Sequence, residues 1–186
     1  MNPTVFNSTD AAYPTSVRER LGAKRPERLT VLGNLALLSQ RKTGLFCSLR
    51  CPGNAILGAY DTARKLRDEG VTVVSGFHSP VEKECLRILL RGKQPIIICL
   101  ARSLEKIRMP TAWHGGLDAG RLLLLSPFEK RPRRPTVESS HQRNELVAAL
   151  SDDILIVHAE PGGSIERISE LIERWSIPRR KRENLQ

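Results

Sequence analysis

The sequence predicts an α/β fold: an open, doubly wound, mostly parallel sheet with helices on both faces. Three observations predict it. Short β-branched or leucine-rich runs recur along the chain, and some, such as Pro95–Leu100, are apolar throughout rather than alternating, as strands buried on both faces must be. Amphipathic segments of helical period lie between them and stop at glycines such as Gly70 and Gly92. Strand–helix alternation then demands right-handed crossovers between parallel neighbours.

Residues 1–28 read as an irregular basic lead-in. Asn, Ser, Thr and Pro dominate to Ser16, and Val17–Arg28 carries five basic residues against two acidic ones. Residues 29–177 form the single domain. Leu29–Leu32 and Leu45–Ser48 are strand-like. Asn54–Asp68 is a helix, with Ala55, Ile56, Ala59, Ala63 and Leu66 as its apolar or small positions. Val71–Ser75 is the next strand, and Val81–Arg91 a helix with Val81, Cys85, Ile88 and Leu89 on one face. Pro95–Leu100 is a buried strand, Ser103–Arg108 a short helix and Arg121–Leu125 a strand. In Lys130–Pro135 two prolines separate four basic residues and forbid regular structure, so an exposed loop is expected. His141–Leu150 is a helix with Leu146, Val147 and Leu150 inward, Asp153–His158 a strand, and Ser164–Trp175 a final helix. Residues 178–186 form a basic, mobile tail. This order of elements is Rossmann-like.

Lys and Arg number 30 against 20 Asp and Glu, a formal net charge of +10. Such an excess points to a polyanionic partner, nucleic acid before others. A hydrophobic content of 40% and a charged content of 27% exclude a disordered chain. No apolar run approaches the roughly 18 residues of a membrane span, and Met1–Tyr13 lacks the pattern of a secretory signal. A cytoplasmic protein that does not engage a membrane is expected. The cysteines Cys47, Cys51, Cys85 and Cys99 fit neither a disulfide framework nor a zinc pattern, and the four histidines are scattered. They read as reduced thiols, with no metal.

Ligands of doubly wound sheets bind outside the carboxyl ends of the strands. There the sequence places Ser48-Leu49-Arg50, Ser75-Gly76-Phe77-His78, Ala101-Arg102 and His158–Ser164. Each segment sets small or polar residues near a basic one or before a helix. Glycine lets a backbone approach an anion, a helix start offers free N–H groups, and an arginine can fork onto a phosphate. Taken singly, each loop is explained by turn and cap chemistry, Ser79 and Pro80 being an ordinary helix start. Together they predict an anion-lined crevice whose candidate residues are Ser48, Arg50, Ser75, Gly76, Arg102, Gly162, Gly163 and Ser164. No G-x-G-x-x-G follows a strand and no G-x-x-x-x-G-K-[ST] occurs, which argues against dinucleotide redox chemistry and ATP hydrolysis. His78 and Ser79 could be read as a hydrolytic set, but no G-x-S-x-G supports it. No cofactor is predicted.

Several ordered motifs resemble a family. Leu29–Asn34, then Leu37-Leu38, then Leu45–Arg50 resembles the start of the core of DNA-processing protein A (DprA/Smf), with a strand ending in Gly-Asn, a short leucine segment and a later strand ending in Gly-Ser/Thr-Arg. Val73-Val74-Ser75-Gly76 resembles its VVSG turn, Leu125–Phe128 its SE-P segment, and Arg143-Asn144 with Val147–Ser151 its RNR-helix. Ile156–Ala159 with Gly162-Gly163-Ser164 resembles its VVEA…SGS end. The ordered set covers about Leu29 to Trp175. This sequence departs from the pattern at Phe77–Glu82, at Ser103–Gly120 and at Glu145, which stands where the second Arg of RNR belongs.

The resemblance implies a non-enzymatic, single-stranded DNA-binding protein of DNA uptake, recombination or defence. Its partners would be a RecA-type recombinase and a second copy of itself. By the same resemblance Arg50, Ser75, Gly76, Arg143 and Asn144 are the DNA-contacting positions. An aromatic content of only 4% argues against an extensive stacking platform. Phe77 and Trp113 could each stack a base, core packing being the simpler role for both. A second reading is a nucleotide-derivative sensor or phosphoribohydrolase, because Pro161–Ser164 is similar to the P-G-G-x-G-T-x-x-E motif of the LOG-like hydrolases. Ile165-Glu166 breaks that motif and Ser169 takes the place of its glutamate. A third is a basic scaffold that contacts only another protein.

Overall fold

The computed structural model describes residues 2–129 and 135–181. The Lys130–Arg134 cluster, expected as a loop, and the end of the tail beyond Lys181 lie outside the described residues. The elements run β1 (Thr4–Asn7), α1 (Thr15–Leu21), β2 (Arg28–Gly33), β3 (Lys42–Cys47), α2 (Gly53–Asp68), β4 (Thr72–Ser75), α3 (Pro80–Leu90), β5 (Ile96–Cys99), α4 (Thr111–Asp118), β6 (Leu122–Ser126), α5 (Val137–Leu150), β7 (Asp153–His158) and α6 (Ser164–Arg174), with short 3₁₀ turns at Gly22–Lys24 and Leu35–Ser39.

The strands form one sheet of order β1-β2-β6-β5-β4-β3-β7. β3 pairs in parallel with β4 and β7, and β5 in parallel with β4 and β6. β2 runs antiparallel to both β1 and β6. The predicted mostly parallel, doubly wound α/β sheet is therefore present.

Side chains alternate across the pleat and build two cores. Val74, Ile97, Leu123 and Leu125 face α1, α5 and α6; Val73, Ile96, Ile98 and Leu124 face α2, α3 and α4. That two-sided burial explains why the central strands are apolar at every position.

Four expectations are corrected. The lead-in 1–28 is ordered: β1 extends the sheet, α1 packs on α5, and Tyr13 and Val17 are wholly buried. Tyr13 donates its hydroxyl proton to the Pro26 carbonyl at 2.9 Å. Only one of the four β1 residues is buried, so period-2 patterning had little to register. Ser103–Arg108 is not helical; the Ser103 hydroxyl accepts from the Glu105 N–H at 3.0 Å, a local turn that competes with helix, and the helix forms at Thr111–Asp118 instead. α5 begins four residues before His141, because Thr136 and Ser139 cap it reciprocally. The start of the 178–186 tail is docked: Ile154 donates its N–H to the Pro178 carbonyl at 2.9 Å, the Arg180 N–H donates to the Ile154 carbonyl at 2.8 Å, and Arg180 pairs with Asp153 at 3.4 Å.

Among the described residues no helix is long and apolar enough to cross a membrane, and no group of three His, Cys, Asp or Glu side chains is placed to hold a metal ion.

Candidate functional site

β3 and β7 are parallel neighbours whose following helices pack on opposite faces, α2 on one and α6 on the other. Their loops must diverge, which opens a crevice at the carboxyl ends of the strands. A cavity of about 400 Å³ lies there, bounded by Cys47, Ser48 and Leu49 after β3, His78 and Ser79 after β4, the first turns of α5 and α6, and Arg143.

Arg143 dominates its floor. The residue is 4% exposed, and its Nε is buried with no hydrogen-bond partner among the described residues. Native interiors rarely leave a buried guanidinium N–H unsatisfied. Burial lowers the Arg143 pKa and the nearby Glu82 opposes that. Gly76 makes room for the side chain: a Cβ there would overlap the guanidinium group. The neighbouring Phe77 has φ +46°, a left-handed conformation unusual for a bulky residue, and its N–H is held by the Ser75 hydroxyl at 3.1 Å.

Glu82 organises the wall. One carboxylate oxygen accepts from the Cys47 N–H at 2.9 Å, the other from the N–H groups of His78 at 2.8 Å and Ser79 at 3.2 Å. It thus ties the end of β3 to the start of α3, completing a capping box with Ser79. Burial pushes its carboxyl above the ordinary range, while Arg143 and the three N–H donors pull it back. His78 moves the other way: burial, Arg143 and Lys83 hold its pKa below that of a free imidazole.

α5 is divided along its length. Leu146–Leu150 are all buried, whereas Val137, Ser140, His141 and Asn144 form one i, i+3, i+4, i+7 stripe lining the cavity. α6 starts at Ser164 with Gly163 as its N-cap and no side-chain cap. Its first N–H groups therefore lack the side-chain acceptors that occupy those of α3 and α5, and Ser164 and Ile165 line the cavity. An uncapped helix start and a buried arginine whose Nε has no hydrogen-bond partner among the described residues together suit an anion.

The structure brings Ser48, Arg143, Asn144 and Ser164 together in the cavity wall, with Gly76 behind it against the Arg143 guanidinium group. Ser75 lies beneath, fully buried. Arg50, Arg102, Gly162 and Gly163 stand outside the cavity wall. The Arg50 side chain is 89% exposed and pairs with Glu160 at 3.6 Å. The Gly162 N–H is taken by Glu166 at 2.6 Å, and the Arg102 carbonyl accepts the Ser126 hydroxyl at 2.7 Å. Phe77 is a core residue and Trp113 packs against the same cluster. Glu82, His141, Val137 and Leu49 were not among the predicted contacts, although the 137/140/141/144 spacing is visible once α5 is known to begin at Val137.

The model of the family "DNA recombination-mediator protein A" matches residues 4–173. The chain belongs to this family. The family's match starts inside the segment read as a lead-in, in keeping with its ordered β1 and α1. Among solved structures, DNA processing protein A of Helicobacter pylori superposes with a TM-score of 0.74 at 22% identity, over 99% of this chain and 83% of that one; its structure was described for a single-stranded DNA binding mode. The Streptococcus pneumoniae DNA processing protein A superposes with a TM-score of 0.72 at 21% identity, over 90% of this chain. The chain spans 60% of the length of that protein. A molybdenum cofactor binding protein of Rippkaea orientalis matches with a TM-score of 0.51 at 12% identity, over 75% of this chain and 74% of that one. No curated protein matches the sequence. The Rippkaea orientalis match is one of fold alone.

Proposed function

We propose that this recombination-mediator family member binds single-stranded DNA, without turnover, by seating a backbone phosphate over Arg143 in the cavity at the ends of β3, β4 and β7. The observation that carries the reading is Arg143 itself, buried on a core helix with no partner for its Nε among the described residues. Ser48, Asn144 and Ser164 add polar groups around it, and the uncapped start of α6 adds N–H donors. Arg50, on the adjoining surface, and the remaining basic excess attract the strand at longer range. Delivery of the strand to a RecA-type recombinase, self-association and a cytoplasmic location complete the proposal.

Fluorescence anisotropy with a labelled oligothymidine tests it. Binding is expected to weaken as salt rises, with a negative slope of log K against log salt. Arg143→Ala is expected to weaken it at least tenfold, since charge-assisted contacts are worth about 1.5–3 kcal/mol. Arg143→Lys restores only part, because an ammonium group lacks the planar fork. Salt-insensitive binding, or binding indifferent to Arg143→Ala, would refute the proposal.

A second reading, a free nucleotide as ligand, is favoured by one observation: the cavity volume of about 400 Å³ falls in the range of roughly 300–1,000 Å³ usual for small-ligand pockets. Competition of mononucleotides against the labelled strand separates the two.

A further inference from the structure

The floor of the cavity is cationic, but its rim is of another kind. Among the described residues, Val137 at 75% and Leu49 at 66% are the most exposed large apolar side chains, and both line this cavity. They come from separate segments, the loop after β3 and the first residue of α5. Single exposed apolar residues are ordinary; two at the mouth of one cavity, above a buried arginine, form an amphiphilic site. The stripe on α5 grades from apolar Val137 through Ser140 and His141 to Asn144, beside Arg143. A ligand matching that gradient has an apolar, flat part outside, a polar middle and an anion inside. A nucleotide unit joins those three parts covalently.

We infer that Leu49 and Val137 clamp one unpaired nucleobase while the adjoining phosphate lies over Arg143. This rests on the single-stranded DNA reading above. A base held between two aliphatic side chains has left its stack and its partner strand. The clamp therefore selects single strands over duplex, whereas phosphate contacts alone read both. It substitutes for the aromatic platform that the sequence lacks.

The test compares a labelled dT oligomer with an abasic deoxyribose-phosphate oligomer of equal length, at one salt concentration, on the wild type and the double variant Leu49→Ser/Val137→Ser. Both positions are exposed, so the variant is expected to keep the wild-type melting temperature. The wild type is expected to bind the dT strand about tenfold more tightly than the abasic strand, the scale of losing one base contact. The double variant should lose most of that preference, bind the abasic strand within twofold of wild type, and keep the same salt slope. Equal wild-type affinity for the two strands overturns the clamp but leaves the phosphate site standing, as does a variant that weakens both strands alike. Failure of both strands to bind removes the DNA reading, and the clamp with it.

Discussion

The guanidinium group of Arg143 occupies the space that a side chain at position 76 would need. Position 76 is glycine for that reason and not for its backbone angles, which lie outside the left-handed region. The glycine after β4 and the arginine on α5, 67 residues apart in the chain, are one device. Gly76→Ala forces Arg143 out of its place. We expect at least tenfold weaker binding of an oligothymidine, and about 1–3 kcal/mol of destabilisation from overpacking. Parallel anisotropy and urea-denaturation curves check both; an alanine variant with wild-type affinity would show that Arg143 does not grip from this position.

Glu82 holds three backbone N–H groups. Glu82→Ala strands those donors in the interior, and an orphaned buried donor costs about 1–3 kcal/mol. The expected loss is about 3 kcal/mol or more, read from the shift of a urea midpoint at unchanged slope. A loss below 1 kcal/mol would mean that water replaces the carboxylate.

Acid should tighten binding. In the free protein His78 is held below its ordinary value of 6.5 by burial, Arg143 and Lys83, and a bound phosphate favours the imidazolium form. Binding then takes up a proton, so affinity rises as pH falls through and below 6.5. Protonation of Glu82, whose pKa burial raises, acts in the same direction. For the unliganded protein the sign reverses at His78. Between its depressed folded value and 6.5 the unfolded chain binds more protons, so this contribution to stability is lost as pH drops through that window. Dissociation constants between pH 5.5 and 8 for wild type and His78→Gln, corrected for the common trend, measure the effect; parallel curves would exclude His78 as a source.

Glu160 restrains Arg50 at the surface. Glu160→Ala frees the guanidinium group and removes a negative charge near the cavity, and about twofold to threefold tighter binding at low salt is expected, an exposed pair being worth under about 1 kcal/mol. Arg50→Ala should cost no more than that. A tenfold loss at Arg50 would rank it beside Arg143.

The sheet was legible because its central strands are buried on both sides. Ile96–Cys99 and Leu122–Ser126 are apolar almost throughout, a pattern that few other structures tolerate. β1 was not legible, since only Phe6 in it is buried. In the candidate site, Arg143 and Gly76 belong to ordered motifs visible in the sequence, but their pairing is a contact between distant segments that no local pattern encodes. Arg50 stands outside the cavity wall and pairs with Glu160, a partner that its sequence neighbours do not reveal. Glu82 was not legible, because a lone acid in a basic chain gives no sign that it will be buried against three amides.

Arg20, in the segment before β2, donates one guanidinium nitrogen to the carbonyls of Ala149 at 3.0 Å and Ser151 at 2.6 Å, at the carboxyl end of α5. The helix is thus anchored at one extremity by the opening residues of the chain, while its other extremity shapes the cavity. A fragment trimmed to start at Leu29 would keep every residue of the binding surface and still lose the brace that fixes the tilt of α5. Where such a protein is cut for expression therefore decides whether its ligand finds a formed site.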